Sequence, residues 1–287
     1  MSVELPDDIA STVRRALVED VGSGDVTAAL VSSLTRARAV VISREAAVLC
    51  GCAWFEQVFR QLDARVKVHW QICDGDPIAS GQTICELDGP ARALLTGERT
   101  ALNFLQTLSG TATAARQHAD AVTGLATVIL DTRKTVPGMR SAQKYAVAVG
   151  GCRNHRKGLF DGILIKENHL RALGSVTQAV TAAKSQFPKL PVEVEVETLE
   201  QLQEAVAAGA DQVLLDNFDL PRLRGAVTVN GGRARLEASG GITLENLRAV
   251  AQTGVDAISM GSLTKNLRAI DLSMKFVPAD TAVEAEP

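Results

Sequence analysis

From Thr127 onward, short apolar runs alternate with stretches of helical periodicity. The runs are Thr127–Asp131, Gly162–Lys166, Val192–Val196, Gln212–Asp216, Arg235–Ser239 and Ala257–Gly261. They are rich in β-branched residues, which predicts buried parallel strands. The spacing between them predicts helices over Val176–Phe187, Leu199–Ala208 and Leu244–Thr253. Thr198 with Gln201 forms a capping box at one helix start, and Gly209 and Gly254 stand where chain-reversing glycines follow a helix. Two units repeat at a constant offset: Thr198-Leu-Glu through Gly209-x-Asp211 matches Thr243-Leu-Glu through Gly254-x-Asp256. Repeated strand–helix units of this size assemble (β/α) barrels. Six strands are visible, so the expectation is an incomplete barrel of six or seven parallel strands. A doubly wound sheet is the alternative, but no strand runs into the glycine fingerprint of a dinucleotide site.

Residues 1–110 read differently. Alternation over Ala37–Ser43 and Val66–Trp70, with a turn at Asp74-Gly75-Asp76-Pro77, predicts antiparallel strands. Ala91–Leu108 carries leucines at helical spacing and is predicted to end at Ser109-Gly110. The expected organisation is an N-terminal α/β sandwich domain (1–110), a barrel domain (111–277) and a polar tail (278–287).

Composition narrows the class. The 287 residues carry 46% hydrophobic and 22% charged positions with a formal net charge of -3, the profile of a globular protein without the basic excess of a nucleic-acid binder. The longest uncharged stretch, Thr100–Ala115, is studded with Thr, Ser, Asn and Gln, and Asp7, Asp8, Arg14 and Arg15 stand where a secretory signal needs an apolar run. Five cysteines, with no CxxC pair, predict reduced and mostly buried thiols in a cytoplasmic protein. The charge is uneven: Asp131–Arg171 holds nine Lys/Arg against three acids, a local +6 that leaves -9 for the rest. A basic segment in an acidic chain suits a pocket for a small polyanion, or a solvated face.

The strand ends carry the chemistry. In a parallel barrel the active site lies at the carboxyl ends. Arg133 and Lys134 follow the first run, Lys166 ends the second, Glu195 lies in the third, and Asp216 ends the fourth. The fifth runs into Ser239-Gly240-Gly241 and the sixth into Met260-Gly261-Ser262. Such glycine loops expose backbone N–H groups and lead towards helix N-termini, the usual phosphate cradle of this architecture. Lys166 and Glu195 interrupt otherwise apolar runs, where a charge must be paired or meet a ligand. Lys166 can pair with Glu195 or Glu193 across strands, or the ladder of Glu193, Glu195 and Glu197 can face a wet interior. Asp216-Asn217 lacks the adjacent second acid and Thr-Gly loop of the common sheet-type phosphoribosyltransferases, and no P-loop is present. In the loop Arg153-Asn-His-Arg-Lys157, His155 stands between arginines, so the neutral imidazole is expected.

Taken together, Asp131-Thr-Arg-Lys-Thr-x-Pro-Gly-x-Arg140, Gly150-Gly-x-x-Asn-His-Arg156, Ile165-Lys-Glu-Asn-His169, Val192-Glu-Val-Glu-Val196 and Leu214-Leu-Asp-Asn217 resemble the quinolinate phosphoribosyltransferases. Glu19-Asp20-Val-Gly-x-Gly-Asp25 and Leu95-x-Gly-Glu-Arg99-x-x-x-Asn103 extend the likeness nearly end to end. The resemblance implies an α/β sandwich followed by an incomplete barrel. It implies joining of quinolinate to 5-phosphoribosyl-1-pyrophosphate with release of pyrophosphate and CO2, requiring Mg²⁺ and giving nicotinate mononucleotide for NAD biosynthesis. Arg133, His155 and Arg156 would hold the quinolinate carboxylates, with Thr132 beside them. Lys134 and Lys166 would face the pyrophosphate and the reacting centre, and Glu195 and Asp216 the ribose hydroxyls and Mg²⁺. Ser239, Gly240, Gly241, Met260, Gly261 and Ser262 would take the 5′-phosphate. Arg99 would reach the site of a neighbouring subunit, so a homodimer with composite sites is expected. A related barrel phosphoribosyltransferase acting on nicotinate or another acceptor and a non-catalytic phosphosugar-binding barrel are the rival readings.

Overall fold

The computed structural model describes residues 3–277, so the polar tail expected over 278–287 lies outside the described residues. The strands are β1 (Arg36–Ser43), β2 (Ala47–Val48), β3 (Lys67–Trp70), β4 (Pro77–Ile78), β5 (Thr83–Pro90), β6 (Val128–Leu130), β7 (Ile163–Ile165), β8 (Val192–Val196), β9 (Gln212–Asp216), β10 (Arg235–Ser239), β11 (Ala257–Ser259) and β12 (Leu272–Val277). The chain divides into two compact units. One takes the residues up to 115, then 136–150 and those from 267 on; the other takes 116–135 and 151–266.

The first unit is built on an antiparallel sheet of order β12-β1-β5-β3. Buried positions alternate along β1, as a strand with one face on a core requires. The helix Cys52–Leu62 supplies Trp54, Phe55, Val58 and Phe59 to that core, all at most 1% exposed. Two segments from later in the chain also belong to this unit. The helix Arg140–Val149 packs Ala142, Tyr145 and Ala146 into the same cluster, where the Tyr145 hydroxyl donates to Asp74 Oδ2 at 2.9 Å. The strand β12 pairs with β1 from Arg38↔Val277 to Ser43↔Leu272.

The long helix departs from expectation. It runs unbroken from Ala91 to Ala121, through the Ser109-Gly110 pair read as its end. Both residues are packing devices. The Ser109 hydroxyl accepts the Cys50 N–H at 2.9 Å and donates to the Cys50 carbonyl at 3.1 Å. A Cβ on Gly110 would sit 2.0 Å from the Arg268 carbonyl oxygen, so this contact demands glycine inside a helix.

The second unit is a parallel sheet of order β6-β11-β10-β9-β8-β7. Of the six or seven strands expected, six form. A seventh is reduced to one parallel bridge, Leu130↔Arg153, made by Arg153 N–H to the Ile129 carbonyl at 2.8 Å and Asp131 N–H to the Arg153 carbonyl at 3.1 Å. Among the described residues no ladder joins β6 to β7, in keeping with an incomplete barrel. Three strands stop short of the predicted runs, which leaves Lys166 and Met260 in loops. Thr198 caps its helix as expected, but Gln201 Oε1 takes the N–H of Glu197 rather than that of the cap residue. Gly209 follows the cap Ala208 as expected, whereas Gly254 falls two places past the cap Gln252.

All five cysteines are free, with Cys50, Cys85 and Cys152 buried. No described helix is long and apolar enough to cross a membrane.

Candidate active site

Alternation along the parallel strands sorts the second unit's side chains onto two faces. Val194, Val196, Val213, Leu215, Ala238 and Ile258 are at most 1% exposed and belong to the core. The intervening residues, Glu195 on β8, Leu214 and Asp216 on β9, Glu237 and Ser239 on β10 and Ser259 on β11, line a cavity of about 360 Å³. Register sets them side by side: Leu214 is paired with Glu195 and with Glu237, and Asp216 with Ser239. Loops after the strands add Thr132, Arg133, Lys134, His155, Arg156 and Lys166. Nine of the residues expected at the site therefore share one cleft.

Its charges are paired but not evenly balanced. Lys166 lies one residue beyond β7 and is half exposed, so it is not the buried strand cation expected from sequence. Its Nζ lies 2.5 Å from Glu195 Oε2, which realises one of the two pairings expected. The Asp216 carboxyl is pushed up by burial and then by the charge of Glu195, against the pull of Lys166. Arg156 is pushed down by burial and by the neighbouring Arg133 guanidinium, while Glu193 and Asp161 act the other way. A guanidinium disfavoured by its neighbour's charge makes a cleft suited to a dianion.

His155 overturns its expected environment. Its Nε2 faces two carboxylates, Glu193 Oε2 at 3.0 Å and Glu237 Oε2 at 3.5 Å. Its Nδ1 accepts the Arg156 backbone N–H at 2.7 Å. Arginines adjacent in sequence thus say little about the charge around this ring, and both ring nitrogens are engaged by protein groups. Glu237 itself is pushed up to about 7, chiefly by burial and then by Glu193, with His155 opposing.

A second cleft of about 490 Å³ is lined by two glycine loops, Ser239-Gly240-Gly241 and Met260-Gly261-Ser262, with His118, Lys134 and Lys265 among the other residues around it. Gly240 has φ +92°, and a Cβ there would meet Asn217 Oδ1 at 2.1 Å. Asn217 also has positive φ and donates its N–H to the Ser239 carbonyl at 2.9 Å, so the two loops are locked together. The helix Leu244–Ala251 begins just beyond, capped by Thr243, so its positive end contributes to this region. Met260 lines the cleft, but its N–H is already given to the Leu130 carbonyl at 2.9 Å, so it offers no donor there. Lys134, Ser239 and Ser259 border both clefts.

A family model described as the quinolinate phosphoribosyl transferase C-terminal domain matches residues 111–275, and its N-terminal counterpart matches 25–109. The chain belongs to the quinolinate phosphoribosyltransferase family. It is 42% identical over 268 residues to a probable nicotinate-nucleotide pyrophosphorylase (carboxylating) of Bacillus subtilis, covering 93% of each chain. It is 43% identical to the nicotinate-nucleotide pyrophosphorylase (carboxylating) of Mycobacterium leprae, covering 93% of this chain and 97% of that one. Among solved structures, the nicotinate-nucleotide pyrophosphorylase of Francisella tularensis superposes with a TM-score of 0.93 at 45% identity, covering 96% and 98% of the two chains.

Within this quinolinate phosphoribosyltransferase, Arg99 is exposed on the first unit's part of the long helix and is not among the residues lining either cleft. Glu237, Ser259, His118 and Lys265 were missed by the sequence reading. Glu237 and Ser259 were discoverable, since period-two spacing puts Glu237 on the same face as Ser239. His118 comes from a distant helix and carried no local signal. Glu195 and Asp216 are hard oxygen donors, and burial together with the charge of Glu195 leaves the Asp216 carboxylate unfavourable as it stands. That donor set fits a Mg²⁺ ion completed by substrate oxygens.

Proposed function

We propose that this protein transfers the phosphoribosyl group of 5-phosphoribosyl-1-pyrophosphate to quinolinate with loss of CO2, giving nicotinate mononucleotide and pyrophosphate for NAD biosynthesis. The observation that carries the reading is the common wall of the two clefts, Lys134, Ser239 and Ser259. A dicarboxylate held by guanidiniums then lies beside a sugar phosphate held by backbone N–H groups.

In this reading Arg133 and Arg156 hold the quinolinate carboxylates and aim the ring nitrogen at C1 of the ribose. Ser239 and the Gly240–Gly241 backbone hold the 5′-phosphate, fixing the sugar against the acceptor. Lys134 and Lys166 stabilise charge on the departing pyrophosphate, and Glu195 and Asp216 face the ribose as its C1 becomes positive. Bound at Glu195 and Asp216, Mg²⁺ would supply further positive charge to the pyrophosphate oxygens. Once the nitrogen is quaternary, the ring accepts the electron pair left when CO2 departs from C2, and a proton replaces it.

The reading extends to a homodimer in the cytoplasm, with Arg99 acting on the cleft of a second copy. The test is mass-spectrometric detection of nicotinate mononucleotide and CO2 from quinolinate and phosphoribosyl pyrophosphate. Nicotinate accepted as readily as quinolinate, or no CO2, would contradict it. For the dimer, inactive Arg99→Ala and Lys166→Ala proteins are mixed under proven subunit exchange. About half the dimers become mixed and about a quarter of all sites recover; no recovery places Arg99 in its own chain's site or in none.

A further inference from the structure

Two buried acids have no part in the proposed chemistry: Glu237, which lines the acceptor cleft, and Glu193, which lies outside its lining. Glu193 on β8 and Glu237 on β10 have side chains only 4% and 1% exposed. Oε1 of Glu193 lacks a hydrogen-bond partner and neither carboxylate oxygen of Glu237 has one within bonding geometry, and buried carboxylates in that state are unfavourable unless something nearby offsets them. What they face is the edge of His155, with Nε2 at 3.0 Å from Glu193 and 3.5 Å from Glu237.

The other side of the ring decides what this contact is. Nδ1 accepts the Arg156 N–H. An accepting Nδ1 carries no hydrogen, so the hydrogen of the imidazole sits on Nε2 and is donated to Glu193. The three groups lie close enough to suggest ligands of a cation, with their ligating atoms within 4.8 Å of one another. A protonated Nε2 cannot ligate a metal, so the tautomer argues against that use. The His155 backbone is held as well, its N–H donating to Asp131 Oδ1 at 2.8 Å, and Asp131 is fully buried. The next residue is Arg156, whose Nη1 donates to the Gly162 carbonyl at 3.1 Å.

We infer that Glu193, with Glu237 in support, is a positioning residue for the acceptor cleft: it receives His155 Nε2–H, fixes the ring and its tautomer, and thereby fixes the backbone that presents Arg156. The inference rests on the proposed reading of this cleft as the quinolinate site. Neither acid needs to touch the substrate. The ring acts as a strut between the buried strands and the Arg156 peptide, and the charge of Glu193 also favours the Arg156 guanidinium.

The test compares Glu193→Leu, which removes the acceptor, with Glu193→Gln, which keeps an acceptor oxygen, and with Glu237→Leu on the longer contact. Once wild-type CO2 release from quinolinate is established, Glu193→Leu is expected to raise the quinolinate KM about tenfold, the loss of one buried hydrogen bond. The phosphoribosyl pyrophosphate KM should stay within about twofold, Glu193→Gln should recover most of the loss, and Glu237→Leu should do less harm than Glu193→Leu. A merely structural role would lower the active fraction or shift both KM values together, and either result overturns the inference. A second arm needs no turnover: ¹⁵N spectra of the four histidines, with His155 assigned by its absence in His155→Asn. Hydrogen on Nε2 and a bare Nδ1 are expected in the wild type, with that signature lost in Glu193→Leu. A wild-type His155 protonated on Nδ1, or one indifferent to Glu193→Leu, overturns the inference. So does a tightly held metal ion that the wild type keeps through dialysis and Glu193→Leu loses. If the wild type releases no CO2, the acceptor reading falls alone and the spectra still decide the strut. If Glu193→Leu does not fold, the wild-type spectrum and Glu237→Leu kinetics decide it.

Discussion

The acceptor cleft and the glycine-lined cleft share a wall but are made of different materials. The first is a set of ionic side chains drawn from three strands and three loops, each shifted by burial and then by a neighbour: Arg156 by Arg133, Asp216 by Glu195, Glu237 by Glu193. The second is built around two glycine loops, held in shape by positive-φ residues and by the close approach of Gly240 to Asn217. A side-chain site can lose one member and keep its shape. A site built on glycine loops fails most when the chain itself is displaced.

The largest expected effect tests the ionic cleft. Arg156→Ala leaves one carboxylate of a desolvated pair unmet, which costs roughly 2–5 kcal/mol. Steady-state kinetics should show this in the quinolinate KM, with that of phosphoribosyl pyrophosphate little changed. Equal losses for both substrates would break the distinction between the clefts.

Gly240→Val attacks the other material. Its Cβ would collide with Asn217 Oδ1, and φ +92° disfavours any branched residue. Displacement of the loop should lower kcat/KM for phosphoribosyl pyrophosphate about 100-fold, while quinolinate still binds in an equilibrium titration. Full activity would reduce the loop to an ordinary turn.

A smaller effect reports the electrostatics of the acceptor cleft. Glu237 is pushed from the ordinary carboxyl value of 4.5 up to about 7. Between these values the folded chain keeps a proton that the unfolded chain has lost, so stability falls as pH rises from about 4.5 to about 7 and then levels off. The slope from this group is at most ~1.4 kcal/mol per pH unit. Denaturation midpoints at pH 5 and pH 8 should show it in the wild type, and Glu237→Gln should flatten it. An unchanged slope in the variant would assign the dependence to other groups.

The smallest effect is at the wall of the phosphate cleft. Lys265 is exposed, so its charge is screened, and Lys265→Ala should raise the phosphoribosyl pyrophosphate KM only ~2–5-fold, the more so at low salt. A loss as large as that of Gly240→Val would mean that side-chain charge, not backbone, makes this cleft.

The two regions were also unequally legible. Val192–Val196, Gln212–Asp216 and Arg235–Ser239 form strands at their predicted limits, because a fully apolar inner face leaves little freedom of register. The cationic strand ends and the Ser-Gly-Gly loop could be read because parallel strands deliver their carboxyl ends to one rim. What was hidden depended on tertiary contact. Gly110 looked like a helix stop until the Arg268 carbonyl was seen to occupy its missing side chain. β12 pairs with β1 from the far end of the chain, a contact that no local pattern signals. The sequence neighbours of His155 are arginines, whereas two acids from distant strands face its ring.

The central claim is that two clefts hold two ligands side by side. It is tested most directly with phthalate, which has the two carboxylates of quinolinate but no ring nitrogen to react. Calorimetric titration of phosphoribosyl pyrophosphate into protein saturated with phthalate should still give one ligand per chain, with affinity close to that of the free protein. Displacement of phthalate by phosphoribosyl pyrophosphate, or loss of its binding, would show one shared site and contradict the account.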